Sequence, residues 1–313
     1  MSTTSASSPL RIATRKSQLA LWQAEHAASL VRRARVGLAV ELVPMSTKGD
    51  RIQDRSLAAI GGKGLFIKEL ETALEERRAD LAVHSMKDVP SDLPSGLVIA
   101  AVLPRADARD ALITAGARGL EDLPPGARLG TSSLRRQAQL LAARADFAIE
   151  ALRGNVDTRL KRLDAGELDA IVLACAGLVR LGLQSRITAL LDPKVSLPAV
   201  GQGVIGIECR ADDLRSREIL HALDDADTRT AIDAERAFAR RLGGSCQSPI
   251  AAYARVERDR LTLEGLVAEP DGSRLLRDSV TGSAANPQML GEQLADRVLA
   301  LGARELLQRL RSA

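Results

Sequence analysis

The chain has 313 residues, 45% of them hydrophobic and 27% charged, with a formal net charge of +4. These values exclude collagen-like, low-complexity and wholly disordered chains, and the length predicts about two or three domains with ample core. One Trp, one Tyr and three Phe argue against a single-strand nucleic-acid platform, which needs stacking aromatics beside its cations, despite a sequence pI near 9.2.

Residues 1–9 are rich in Ser and Thr and lack an apolar stretch, so they read as a frayed tail rather than a signal peptide, and a cytoplasmic protein is expected. The longest strongly apolar stretches, 97–103 and 170–179, are far too short to span a bilayer. Residues 10–14 predict a short strand. Residues 17–35 predict a helix capped by Ser17, with Leu19, Trp22, His26 and Leu30 at helical spacing. A strand at 38–45 precedes a polar, Gly-rich loop at 46–64, a helix at 65–78 and strands at 81–84 and 97–103.

The alternation continues with strands at 128–131, 147–152 and 169–174, and helices at 133–144, 156–164 and 177–181. Such alternation predicts α/β units with largely parallel sheets, whose ligands sit beyond the carboxyl ends of the strands. After residue 221 the pattern changes. A helix at 227–242, strands at 250–256 and 261–268 and one long helix at 286–311 predict a smaller α+β module.

GQGVIG (201–206) matches a dinucleotide fingerprint in letters only, because Pro198 stands just before it and a strand-like stretch follows. GGKG (61–64) lacks Walker spacing and reads as a flexible loop. HSMKDVP (84–90) sets Lys87 beside Asp88 after a strand. Either this is a surface ion pair in a turn, or Lys87 holds an anion next to an acid/base carboxylate. GTSSLRR (130–136) brings hydroxyls, helix-start amides and two arginines together; the alternatives are a capped helix with solvated arginines or an anion site. LRGNVDTR (152–159), RIATRKS (11–17) and Arg180 repeat the design, so the expected ligand is an anion in a cleft between two α/β domains. Arg outnumbers Lys 37 to 7, and Arg suits bidentate contact with carboxylates, although composition bias explains most of the overall excess.

Three cysteines at long spacing, with no C-x-x-C, make a disulfide framework or metal site unexpected. Cys175, placed in an apolar strand, and Cys209, at a strand end, read as structural. Cys246, in a Gly/Ser loop, reads as a thiol exposed for reaction.

Taken together, RIATRKSQLALWQA (11–24), GGKGLFIKELE (61–71), HSMKDVP, GTSSLRRQ (130–137), LRGNVDTRL (152–160), AGLVRLG (176–182), LPAVGQGVIGIECR (197–210) and GGSCQSPI (243–250) resemble the porphobilinogen deaminase (hydroxymethylbilane synthase) family. The resemblance implies two α/β domains built like periplasmic anion-binding proteins, at 1–103 with 204–221 and at 104–203. It implies a smaller α+β domain at 222–313 carrying the cysteine. The implied activity is transfer chemistry in haem and tetrapyrrole biosynthesis: four porphobilinogen molecules are joined head to tail, with loss of ammonia, to give linear hydroxymethylbilane. The implied cofactor is a dipyrromethane bound by a thioether to Cys246. No metal, nucleic acid or membrane partner is implied, and a monomer is.

By the same resemblance, Asp88 is the catalytic carboxylate that stabilises positive pyrrole intermediates. Lys87, Asp88, Thr131, Ser133, Arg135, Arg136 and Arg159 bind the cofactor. Arg15, Ser17, Arg153, Arg159, Arg180 and Gln202 bind substrate, with Gln23 and Asn155 as weaker candidates. The loop 46–64, with Lys48 and Asp50, resembles a mobile flap. Ser245 and Ser248 depart from the family's pattern without touching the chemistry. Two other classes share part of the signal. A two-domain anion-binding protein would need neither Cys246 nor the Lys87-Asp88 pair, and a nucleic-acid binder would need more aromatics.

Overall fold

The computed structural model describes residues 8–47, 49, 67–243 and 248–312. Most of the N-terminal tail, Lys48, Asp50, GGKG (61–64), the first residues of the expected helix at 65–78, Ser245 and Cys246 lie outside the described residues.

The chain begins with β1 (Leu10–Arg15), α1 (Gln18–Ala34), β2 (Val40–Met45), α2 (Lys68–Glu75), β3 (Leu81–Ser85) and β4 (Leu97–Val102). It continues with β5 (Asp110–Thr114), β6 (Arg128–Gly130), α3 (Leu134–Ala143), β7 (Ala148–Glu150), α4 (Val156–Asp164), β8 (Ala170–Ala174), α5 (Cys175–Arg180) and β9 (Ala189–Leu190). The last part comprises β10 (Ile205–Arg210), α6 (Leu214–His221), α7 (Ala226–Arg241), β11 (Ile250–Glu257), β12 (Arg260–Ala268), β13 (Leu275–Ser283), α8 (Pro287–Val298) and α9 (Arg304–Ser312).

Three sheets result, in the orders β2-β1-β3-β10-β4, β7-β6-β8-β5-β9 and β11-β12-β13. The first two share one plan. Their early strands pair in parallel, but β10 runs antiparallel to β3 and β4, and β5 runs antiparallel to β8 and β9. The expectation of largely parallel sheets is therefore corrected to mixed ones. The reason is connectivity: β5 and β10 each enter a sheet from the other domain, so they arrive from the opposite end. Two α/β domains are thus linked by two crossing segments, between β4 and β5 and between β9 and β10. Among the described residues, no helix is long and apolar enough to cross a membrane.

Local chemistry explains the helices that follow these strands. Ser17 caps α1 by accepting from the Ala20 N–H, and the buried face of α1 is mostly small: Ala20, Ala24, Ala27, Ala28 and Val31. The large residues whose spacing predicted the helix do not form that face. Trp22 remains 39% exposed, because a stripe of alanines lets the helix lie close against the sheet. Cys175 opens α5 rather than sitting in a strand, and it is buried, as is Cys209. Burial pushes both thiols up, Cys209 to about 11, with Asp213 adding to the shift.

The third sheet packs one face on α7 and α8 around the fully buried Phe238. The expected single helix at 286–311 is broken: α8 ends at Val298, a wide turn spans Leu299–Ala303, and α9 follows. Gly302 has φ of +105° there, a left-handed backbone that interrupts the helical path. The strands β5, β9 and β13 and the helix α6 were not predicted: β9 spans two residues, β13 is largely polar, and β5 opens on the charged Asp110.

One buried carboxylate joins the third domain to both crossings. Glu235 on α7 is fully buried and accepts from Arg105 Nη1 (2.5 Å), the Gly201 N–H (2.7 Å) and the Ala254 N–H (2.8 Å). Arg105 Nε donates in turn to the Gln202 carbonyl (3.0 Å). A buried charge of this kind is tolerated only when its acceptors are filled.

Candidate active site

The cations expected from the sequence stand at strand ends, where backbone amides of the next helix also point. After β3 a single tight turn, Met86–Asp88, presents Lys87 and Asp88, both half-buried. After β6, Thr131 Oγ1 accepts from the Ser133 N–H (3.2 Å), and Ser133 Oγ caps α3 by accepting from the Arg136 N–H (3.4 Å). After β7, Arg153 and Gly154 lead into α4, with Asn155 at the cap position but making no side-chain capping bond. Arg180 ends α5.

Electrostatics bring these groups into one neighbourhood. Lys87 is pushed down to about 8, first by desolvation and then by Arg136, with Asp88 and Asp110 opposing and Arg135 adding a smaller push. Arg159 falls to about 10 through desolvation, then Arg136 and Arg153, with Asp88 again opposing. Asp88 is therefore the carboxylate felt by both Lys87 and Arg159, and Arg136 is the cation felt by both. Lys87 and Arg153 make no hydrogen bond to any described residue, while Arg159 Nε donates to the Gly154 carbonyl (2.8 Å).

Arg180, at the end of α5, is pushed down to about 10 by desolvation. Its Nη2 donates to the Gly203 carbonyl (2.7 Å), and its guanidinium lies 5.9 Å from the centre of the Trp22 ring. Trp22 stacks on His26 (5.1 Å), whose imidazole is pushed down by desolvation and then by Arg180 and Arg33. Arg15 ends β1, half-buried. Ser17 is used as the α1 cap, and Gln23 Nε2 donates to Ser85 Oγ (2.9 Å).

Arg135 and Arg136 are placed differently from the other cations. Both are buried against Asp110, which opens β5 and is itself fully buried. Arg135 Nη1 donates to Asp110 Oδ2 (2.8 Å) and to the Leu197 carbonyl (2.6 Å). Arg136 donates through Nε (3.0 Å) and Nη2 (2.8 Å) to Asp110 Oδ1, and through Nη1 to the Val172 carbonyl (3.0 Å). Ser196 Oγ and Gln202 Nε2, each 2.8 Å away, complete the shell. Burial would raise the Asp110 carboxyl, but the two guanidiniums override it and hold it well below the usual carboxylate range. Sequence reasoning missed Asp110. The one available signal was an acidic residue opening an otherwise apolar strand, where an unpaired charge would not be tolerated.

A second buried polar group lies within the first domain. His84 Nε2 and Glu208 Oε2 are 2.8 Å apart, and desolvation followed by Glu208 pushes Glu71 up to about 7.

These donors fit an anionic group rich in carboxylates. Arg135 Nε is buried with no hydrogen-bond partner, and Lys87 and Arg153 offer further donors unused by described residues. Cations with spare donors at several strand ends are the donor set that carboxylates require.

Residues 10–218 match the family model "Porphobilinogen deaminase, dipyromethane cofactor binding domain", and residues 229–300 match "Porphobilinogen deaminase, C-terminal domain". The chain belongs to the porphobilinogen deaminase family. A curated porphobilinogen deaminase from Syntrophotalea carbinolica is 54% identical over 301 residues, 96% of each chain. The domain that holds the family's dipyrromethane cofactor is thus the one that carries the cation cluster. Among solved structures, a TRAP periplasmic solute binding protein from Desulfovibrio salexigens covers 69% of this chain and 72% of its own, at TM-score 0.42 and 13% identity. The periplasmic aliphatic sulphonate binding protein SsuA from Escherichia coli covers 75% and 70%, at TM-score 0.41 and 15% identity.

Proposed function

We propose that this protein performs the reaction of its family, joining four porphobilinogen molecules head to tail with release of ammonia to give linear hydroxymethylbilane. The observation that carries the reading is that Lys87 and Arg159, at strand ends of two domains, both interact with the Asp88 carboxylate and both with Arg136, with Arg153 acting on Arg159 as well. Each pyrrole ring of the growing chain brings an acetate and a propionate, and these cations answer them. Cys246 would hold the dipyrromethane by a thioether, and that group would supply the primer on which the chain is built.

Lys87, Thr131, Ser133, Arg135, Arg136 and Arg159 hold cofactor carboxylates. Arg15, Ser17, Arg153, Arg159, Arg180 and Gln202 receive the substrate's, with Gln23 and Asn155 in supporting positions. Asp88 has a different task. When the aminomethyl nitrogen of porphobilinogen leaves, positive charge develops on the substrate pyrrole, and the Asp88 carboxylate offsets it and takes the pyrrole N–H as a hydrogen-bond donor. Desolvation in the cleft strengthens that attraction.

The reading places domain boundaries at 1–103 with 204–221, 104–203 and 222–313, supported by the composition of the three sheets. It also takes the protein as a cytoplasmic monomer acting on a small molecule with no membrane partner, and the shortage of aromatics supports the absence of a nucleic-acid partner. The test is the intact mass of the purified protein. A mass excess equal to a dipyrromethane, lost in Cys246→Ser and kept in Cys175→Ser, is the expected result. Cys246→Ser carrying the normal excess overturns the anchor.

A further inference from the structure

We propose that Asp110 is a positioning residue for cofactor binding: an internal counter-charge that holds Arg135 and Arg136 in place and leaves the pair one net positive charge for a ligand carboxylate. The proposal rests on the reading of the cation cluster given above and extends it to a residue that reaches the ligand only through others.

Three observations carry it. First, Asp110 is saturated. It accepts from both guanidiniums, from Ser196 Oγ and from Gln202 Nε2, and all the arginine and Gln202 donors to it are themselves buried. Two arginines without it would place two like charges together out of water, an arrangement that low dielectric makes strongly unfavourable. Second, both arginines are fixed in the same manner and share one counter-charge. Each makes two bonds to Asp110 and one to a backbone carbonyl, Leu197 for Arg135 and Val172 for Arg136. The pair therefore keeps one net positive charge, and Arg136 is the leading charge acting on both Lys87 and Arg159. Third, the acceptor and two of its donors come from the two crossing segments. Asp110 ends the outgoing one, and Ser196 and Gln202 lie on the returning one, so the arginine pair is fixed where the two α/β domains meet. Asp110 also acts on Lys87, favouring its charged form against Arg136 and Arg135.

The test uses Asp110→Asn and Asp110→Glu in the full chain, both in the loaded enzyme and in a Cys246→Ser background. In that cofactor-free background the pH at which the unfolding midpoint rises reports the discharge of Lys87. Loss of the Asp110 charge should move that rise, and the alkaline limb of kcat/KM in the loaded enzyme, to lower pH by about half a unit or more, as expected for charges interacting across a protein interior. Asp110→Glu should restore both. A residue that merely fills the core would lower the midpoint at every pH and leave both limbs where they were, and that result overturns the proposal. Should Asp110→Asn fail to fold, Asp110→Asn/Arg135→Met, which removes one charge of each sign, is compared with Arg135→Met alone. The double variant should show at least a tenfold smaller loaded fraction by intact mass than the single one, and equal loaded fractions overturn the proposal. A parent protein without the dipyrromethane mass overturns the reading of Cys246 instead, which separates the two failures.

Discussion

Lys87 is charged where burial disfavours charge, and the cost follows from the site itself. Its ammonium falls from an ordinary 10.5 to about 8, chiefly by desolvation and the nearby Arg136. At about 1.4 kcal/mol per pH unit, holding it charged at neutral pH costs the cofactor-free protein about 3 kcal/mol. Between pH 8 and 10.5 the unfolded chain keeps this proton and the native one does not, so stability rises with pH there. Below pH 8 both states are protonated and the full penalty stands. Lys87→Met in the Cys246→Ser chain should therefore stabilise the protein at pH 7, by about 1 M in the urea midpoint for a slope near 3 kcal/mol per molar. It should also remove the rise between pH 7 and 9.5. In the loaded enzyme the sign reverses, because a carboxylate then pairs with the ammonium, and the same substitution should slow turnover. Urea unfolding at both pH values decides the matter. A lower midpoint at pH 7 with the alkaline rise intact would refute the assignment of a desolvated charge at Lys87.

Three further outcomes are expected. Asp88→Asn keeps the shape and removes the charge, so turnover of porphobilinogen should fall by roughly 10²–10⁴-fold in a protein that still shows the dipyrromethane mass; near-normal turnover removes Asp88 from the mechanism. Arg180→Leu should raise KM for porphobilinogen well above any effect of Arg32→Leu, since Arg180 is a desolvated cation in the cleft and Arg32 is an exposed one; equal KM values for the two would show that only general charge matters. Gly201→Ala places a Cβ 2.8 Å from Met86 Cβ at a φ of +72°, so it should cost about 2–4 kcal/mol and slow turnover by displacing the turn that carries Lys87; an unchanged thermal midpoint contradicts this.

The sequence by itself determined the elements and the cations that follow them. Ser17 and Ser133 signalled helix starts and cap α1 and α3, and the helix predicted at 156–164 has the observed bounds of α4. These signals are local: a cap and its N–H are three residues apart, and a helical stripe repeats within a turn or two. The clusters at 84–90, 130–137 and 152–160 were legible for the same reason, since each is one strand end followed by one turn.

Tertiary structure decided how those pieces meet. The antiparallel course of β5 and β10 follows from two crossings between domains, which no periodicity records. Arg135 and Arg136 read as open cations in sequence, but Asp110, 25 residues before Arg135 and 92 before Gln202, gives both a buried partner. Glu235 joins Arg105, 130 residues away, to the third domain in the same manner. A buried charge is tolerated only with its counter-charge and hydrogen bonds in place, and in this protein those partners come from distant segments that only folding brings together.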